Sequence, residues 1–152
     1  MDDSTDDLLD LLSLSEQGEA RFVGRGSGHA GYGLFGGHQL AQAIVSAYRS
    51  VDAQRRLHSV HGFFLRGGDG NQSVSYDVES IRDGRAFCQR RVTGVQNDKQ
   101  IFDLTASFQT PETGPGVITP TPPRGAEPPE GLPTFEECMQ EVGPIFGEEW
   151  SE

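Results

Sequence analysis

The central part of the chain alternates between apolar and polar residues, a period typical of β-strands with one buried face. In QIFDLTASFQ, every second residue from Phe102 to Phe108 is apolar and the residues between them are polar. The same period predicts four strands, at Arg56–Arg66, Ser73–Ile81, Ala86–Val95 and Gln100–Gln109. RDGR and QNDK, which join the last three, are hairpin-turn sequences, so we predict an antiparallel meander. Upstream, ARFVGRG predicts a further short strand.

Before the meander, LFGGHQLAQAIVSAYRSV (Leu34–Val51) has the pattern of a helix that starts at Gly36 and Gly37 and contains no acidic residue. Apolar and small residues cover nearly its whole circumference, which is typical of a helix enclosed by other structure. One face is predicted to hold Leu40, Ile44, Ala47, Tyr48 and Val51. The preceding GRGSGHAGYG, from Gly24 to Gly33, is predicted to be a loop because five glycines in ten residues disfavour a regular element.

The two ends of the chain differ from this body. Leucines at positions 8, 9, 11 and 12 predict a short helix that packs on the body, with Ser4 or Asp6 as its cap. From Pro111 the sequence is rich in Pro and Gly and is predicted to be a linker. It leads to a short helix that starts at Thr134, with Glu137 placed for a capping box. We therefore predict an acidic N-terminal segment at 1–19, one domain at 20–110, and a linker and tail at 111–152.

The net charge of −11 comes from the ends: residues 1–19 hold seven acids and no Lys or Arg, and residues 124–152 hold eight acids and one Arg. The middle has eleven bases and eight acids, so the body is suited to an anionic ligand, although tail acids also simply favour solubility. The acidic total and the lack of a recognised motif argue against nucleic-acid binding. No apolar run approaches the roughly 20 residues of a membrane span.

Cys88 and Cys138 are too few for a disulfide scaffold, and no Cys/His cluster has zinc spacing. We therefore expect a reducing compartment, the cytoplasm, and neither a metal nor a cofactor.

A strand, a helix and four strands form the plan of a hot-dog domain, an α+β fold in which a five-stranded antiparallel sheet wraps around one long helix. The segments LFGGHQLAQAIVSAY, RRLHSVHGFFLRGGD, YDVESIRDGRAFCQRRV, VQND and IFDLTASFQ resemble, in this order, the first half of the acyl-CoA thioesterase II family. The resemblance covers Leu8–Gln109 and extends along the linker to Pro133. It implies hydrolysis of medium- and long-chain acyl-CoA to fatty acid and CoA, and so a place in fatty acid metabolism.

The chain departs from the family in ways that bear on chemistry. The family has glutamine where His38 stands, arginine where Gly33 stands and proline where Gly67 stands. Its enzymes hold two hot-dog repeats, and the aspartate, hydroxyl residue and glutamine that activate water lie in the second. Because those positions have no counterpart here, no catalytic residue is carried over.

Candidate substrate-binding residues cluster at the start of the predicted helix. Gly36 and Gly37 expose the backbone N–H groups of the first turn, which favour an anion or a developing oxyanion, although glycine packed against a sheet is an equal reading. Beside them are Phe35 as a border of an acyl tunnel, His38, expected to be an exposed first-turn residue, and Gln39.

The strands supply further candidates. His58 and His61, in HSVH, are expected to face opposite sides of a strand, which allows one of them to reach the site; the alternative for each is a structural histidine, buried or at the rim. Arg66, with other arginines of the body, is a candidate for the phosphates of CoA. The other arginines in question are Arg82, Arg85, Arg90 and Arg91. The alternative is that these arginines form ion pairs with nearby carboxylates, namely Asp77, Glu79 and Asp83.

Three hypotheses follow. The first is an acyl-CoA thioesterase that acts as an oligomer, a homodimer or a pair with a second hot-dog domain, since a lone sheet would expose apolar surface. The second is a non-catalytic half of such an enzyme. The third is an acyl-CoA-binding module that lacks the chemistry.

Overall fold

The computed structural model describes residues 4–26, 33–114, 116, 119–121, 123–125 and 128–146. The chain divides into two compact units, Met1–Thr113 and Gly114–Glu152. The elements of the first unit, in chain order, are α1 (Ser4–Leu11), β1 (Ser15–Glu16), β2 (Arg21–Gly24), α2 (Gly36–Tyr48), β3 (Arg56–Phe64), β4 (Val74–Asp83), β5 (Phe87–Gln96) and β6 (Lys99–Gln109). The second unit contains α3 (Phe135–Phe146). None of the described helices is long and apolar enough to cross a membrane.

The six strands form one antiparallel sheet in the order β1-β2-β4-β5-β6-β3, and α2 packs on one face, here called the inner face. The apolar residues of β6 point to this face, where Leu104 and Phe108 share a core with Ala43 and Ala47 of α2. The predicted α+β plan, one central helix against an antiparallel sheet, is confirmed. The sheet has a sixth strand because the two residues of β1 pair with β2.

The order of the strands differs from a simple meander. Strands β4, β5 and β6 follow one another as predicted, but β3 pairs with β6 at the far edge, and β2 takes the place beside β4. The sequence between Phe64 and Val74 therefore crosses from the edge strand β3 past β6 and β5 to β4. The second edge of β3 has no strand partner among the described residues.

The hairpin turns were predicted correctly in place. Asn97 and Asp98 have φ angles of 51° and 59°, as a two-residue type I′ turn requires. The β4–β5 turn is wider: Gly84 donates its N–H to the carbonyl of Phe87, so three residues separate the strands.

Helix α2 contradicts the prediction that it is enclosed on all sides. Its buried residues are His38, Gln39, Gln42, Ala43, Ser46 and Ala47, so a largely polar stripe faces the sheet. On the other side, Leu40, Ala41, Ile44 and Val45 are only half-buried and Tyr48 is exposed. We call these five residues the apolar flank of α2.

Both terminal helices are present, but Leu8 and Leu9 are exposed, so the predicted packing of these two leucines on the body is wrong. Helix α1 instead docks through the carbonyl of Leu11; the side chains of its predicted caps, Ser4 and Asp6, lie outside the described part of the structure. Residues 27–32 of the predicted glycine-rich loop also lie outside them. In the second unit, Thr134 and Glu137 exchange hydrogen bonds as a capping box, and these bonds lower the pKa of Glu137.

Candidate functional site

The first turn of α2 is built from glycine and aromatic residues. Phe35 is the N-cap residue, with an extended backbone and no side-chain cap, and it is 72% exposed. A Cβ on Gly36 would lie 3.0 Å from the ring of Phe64, and one on Gly37 would lie 2.6 Å from the ring of Phe35. The paired glycines therefore leave room for two aromatic rings at the start of the helix; the contact of Gly36 with Phe64 is the more restrictive, because the exposed ring of Phe35 can move.

The electrostatics of this turn favour negative charge. The N–H groups of His38 and Gln39 bond the carbonyl of Phe35, at 3.1 and 3.2 Å, whereas those of Gly36 and Gly37 find no acceptor among the described residues. The first turn has no acidic residue, so the positive end of the helix dipole is not neutralised locally. This arrangement suits an anion or the oxygen of a polarised carbonyl group.

His38 is buried, 8% exposed, which corrects the expectation of an exposed residue. Neither ring nitrogen has a hydrogen-bond partner among the described residues. Burial lowers the pKa of His38, and the nearby backbone of Arg25 offsets only part of this effect. The imidazole is therefore neutral at pH 7 and able to accept a hydrogen bond.

Gln39 lies beside the loop that follows β3. It is 2% exposed, and its Oε1 has no partner among the described residues. A Cβ on Gly68 would come within 3.2 Å of Gln39 Nε2 and within 3.1 Å of both Leu34 and Ile101. Gly68 therefore allows the loop to close over Gln39, a contact that sequence patterns do not reveal because the two residues are distant in the chain.

Arg66 belongs to the same loop and is exposed. Its Nη1 donates to the carbonyl of Gln100 at 2.5 Å, so the side chain is held against β6. The structure thus brings five of the eight predicted residues together at the start of α2, namely Phe35, Gly36, Gly37, His38 and Gln39. It places Arg66 in the loop that packs over Gln39.

The two strand histidines are placed elsewhere. A bulge in β3 between Leu57 and Ser59 changes the alternation, so His58 and His61 do not face opposite sides as predicted. His61 lies opposite Thr105, and His58 Nε2 lies 2.9 Å from Ser107 Oγ. Both histidines therefore lie on the outer face of the sheet, away from α2.

Gln42, one turn further along α2, is fully committed to the fold. Its Nε2 donates to the carbonyls of Leu11 (2.6 Å) and Arg25 (3.1 Å), and its Oε1 accepts from Tyr76 Oη (3.0 Å). Gly24 leaves the space that the amide of Gln42 occupies. Burial raises the pKa of Tyr76, so its hydroxyl remains a donor.

Two of the candidate arginines form ion pairs. Arg90 pairs with Asp83 at 2.8 Å, as one alternative predicted, and Arg91 pairs with Asp103, also at 2.8 Å. Arg90 is buried and also bonds the backbone of Ser50, just after α2. These two guanidinium groups are therefore not available to a ligand in the way that an unpaired arginine is.

Comparison with known proteins agrees with this architecture. Residues 25–109 match the family model described as the acyl-CoA thioesterase N-terminal domain. The chain belongs to this acyl-CoA thioesterase family. It is 38% identical over 114 residues to acyl-CoA thioesterase 2 of Haemophilus influenzae, a match that covers 75% of this chain and 40% of that protein.

Solved structures agree with the family assignment. The acyl-CoA thioesterase II TesB2 from Mycobacterium marinum superimposes with a TM-score of 0.71 and 37% identity, over 87% of this chain and 48% of that one. A hot-dog protein from Alicyclobacillus acidocaldarius, 20% identical over 83% of this chain and 47% of that one, gives a TM-score of 0.71 and shows the fold alone. The hot-dog fold is thus confirmed. This thioesterase-family chain spans less than half the length of each of these relatives.

Proposed function

We propose that the chain hydrolyses medium- and long-chain acyl-CoA to fatty acid and CoA when it is assembled with a second hot-dog domain, either another copy or a separate chain. The apolar flank of α2 carries this proposal. Leu40, Ile44 and Tyr48 leave the helix partly open beside the site at its start, although they are the residues expected to be buried. A second domain on this flank would exclude water from the site and complete it.

The start of α2 is the proposed position of the thioester carbonyl. The N–H groups of Gly36 and Gly37 would stabilise the oxygen as it becomes negative, with the helix dipole behind them. Phe35 and the ring of Phe64 would contact the acyl chain. Neutral His38 and the amide of Gln39 would complete the polar surroundings of the thioester.

Activation of water needs a base, and the first turn of α2 has no carboxylate. The second domain is therefore proposed to supply it. The free edge of β3 gives that domain a place to pair, because Val60, Phe63 and Phe64 are exposed along it and its backbone groups on that side have no strand partner among the described residues. A single second domain that paired with the edge of β3 would also cover the apolar flank of α2.

The direct test measures thiol release from decanoyl-CoA with a thiol reagent, at increasing protein concentration, together with the mass from light scattering. Activity per chain should rise as the dimer forms. Ile44→Glu places a charge on the flank and should abolish both dimer and activity, whereas the matched change Thr105→Glu, on the exposed outer face, should preserve both.

A dimer that releases no thiol contradicts hydrolysis by the homodimer. If that dimer still binds a non-hydrolysable decanoyl-CoA thioether, the chain is the non-catalytic half or the binding module instead. The proposed location is the cytoplasm, supported by the free thiols of Cys88 and Cys138.

A further inference from the structure

Three arginines converge on Gly84, in the turn between β4 and β5. Arg55 Nη2 donates to the carbonyl of Gly84 at 2.7 Å. The Nε and Nη2 atoms of Arg82 lie 3.6 Å from the position that a Cβ on Gly84 would take, and Arg85 is the next residue. Arg82 and Arg85 are exposed, whereas Arg55 is half-buried. We call Arg55, Arg82 and Arg85 the turn arginines.

The one carboxylate in this turn, Asp83, offsets the charge of the turn arginines only in part. It lies within electrostatic reach of Arg55, but one of its oxygens accepts from Ser80 Oγ and the other from buried Arg90, both at 2.8 Å. In addition, Arg55 Nη1 is buried and has no hydrogen-bond partner among the described residues. Like charges close together repel each other. An anion on the exposed side of this turn would relieve this repulsion and stabilise the positive charge of Arg55.

The turn arginines lie at the opposite end of α2 from the candidate site. Arg90, which pairs with Asp83, donates from Nη2 to the carbonyl of Ser50, just beyond the C-terminus of α2. A helix of 13 residues is about 20 Å long. One end of the domain is thus aromatic, with Phe35 and Phe64, and the other is cationic. Acyl-CoA has the same polarity, an apolar chain at one end and phosphates at the other.

We propose that the turn arginines bind the phosphate groups of the 3′-phospho-ADP portion of CoA. Planar guanidinium groups suit phosphate because each offers two parallel N–H donors. Arg82 and Arg85 are exposed and would contact the phosphates from the solvent side, while the guanidinium group of Arg55, held on the carbonyl of Gly84, would add positive charge behind them. The identity of the ligand rests on the proposed function, but the anion site rests on the local geometry alone.

The experiment measures binding of adenosine 3′,5′-bisphosphate by calorimetry at low salt, without any thioester. The double variant R82Q/R85Q keeps the partly buried Arg55 and should fold normally. Loss of each charge-assisted contact should weaken binding by about tenfold. The control R21Q/R25Q removes the same charge from two arginines of the first unit, whose side chains pair with Asp77 and Asp10 at β2, and should bind like the wild type.

The outcomes are distinct. Equal binding by R82Q/R85Q and the wild type overturns the site, as does the absence of binding to the wild type. If ATP or inorganic phosphate binds as tightly as the bisphosphate, the turn is a general anion site and its assignment to CoA is wrong. If the protein hydrolyses decanoyl-CoA and R82Q/R85Q leaves KM unchanged, the phosphate site fails while the function stands. Bisphosphate binding that is lost in R82Q/R85Q, without hydrolysis by the wild type, supports the site and contradicts the function.

Discussion

The side chain of Gln42 holds three parts of the domain together, so its removal is a strong test of the fold. It bonds the last residue of α1, the residue after β2 and the hydroxyl of Tyr76 on β4, and it is fully buried. We predict that Gln42→Ala leaves the carbonyls of Leu11 and Arg25 and the hydroxyl of Tyr76 without partners.

The magnitude follows from these three bonds. A buried polar group left without a partner costs about 1–3 kcal/mol, and the cavity adds to this. Since Leu11 and Arg25 lie near the surface and can be reached by water, we take the low value for each bond. The expected loss is about 3–5 kcal/mol, which is a large part of the stability of a typical domain. Tyr76→Phe removes only one of the three bonds and should cost about 1–2 kcal/mol.

The assay is urea unfolding followed by circular dichroism at one fixed protein concentration, because assembly would otherwise contribute to the apparent stability. Gln89→Ala is the matched control, since Gln89 lies on the outer face and makes only a 3.5 Å contact with Ser107. It should change the free energy of unfolding by less than about 0.5 kcal/mol.

A double-mutant cycle separates the bond from general damage. In the Gln42→Ala background, the further change Tyr76→Phe should cost nearly nothing, because its partner is already gone, which gives a coupling of about 1–2 kcal/mol. Equal losses for Gln42→Ala and Gln89→Ala, or zero coupling with Tyr76, would refute the assigned role of this glutamine.

Three further changes have expected results. Arg90→Ala should cost about 3 kcal/mol in urea unfolding because Arg90 is buried and bonded to the end of α2. Arg91→Ala should cost clearly less because the Arg91 side chain is half-exposed and water can replace it; similar losses would contradict this difference. Because the folded pKa of His38 is lowered, its contribution is complete above about pH 6.5 and is lost as the pH falls; His38→Gln should remove this part of the pH dependence of unfolding, and an unchanged profile would exclude His38 as its source. Asp98→Gly should raise the free energy of unfolding by about 0.5–1 kcal/mol since Asp98 has a positive φ, while Glu112→Gly, outside the sheet, should not.

The strands were predictable because each has one buried face and the period of two survives in the sequence. The pairing of β3 with β6 was not predictable, since it depends on residues 38 to 53 positions apart in the sequence. The orientation of His58 and His61 was missed for a local reason. A single bulge after Leu57 rotates the following residues, and the sequence HSVH carries no glycine or other sign of that bulge.

The sequence located the candidate site at Gly36 and Gly37, but it did not predict which polar side chains of α2 are buried. His38 was expected to be exposed because polar residues in the first turn of a helix usually face solvent, and no pattern in the sequence indicated that Gln42 would be tied to three other segments. Here their surroundings are set by partners distant in sequence, the carbonyl of Arg25 and the hydroxyl of Tyr76 for Gln42. Such pairing leaves no periodic signal, so only the tertiary structure reveals it.

The two sides of α2 together explain why this helix has the composition it does. In an isolated domain the most stable arrangement would direct Leu40, Ile44 and Tyr48 to the sheet and the polar stripe to water. The structure instead buries the polar stripe fully and the apolar flank only in part: Leu40 and Ile44 pack against the edge of the core, and Tyr48 meets Phe108 but stays 39% exposed. The polar stripe is tolerated because residues such as Gln42 find buried partners. The cost of leaving the apolar flank half-exposed is removed only if another apolar surface covers it. The helix therefore has the composition of an element packed on both sides, by its own sheet and by a second domain, and the proposed assembly supplies that second surface.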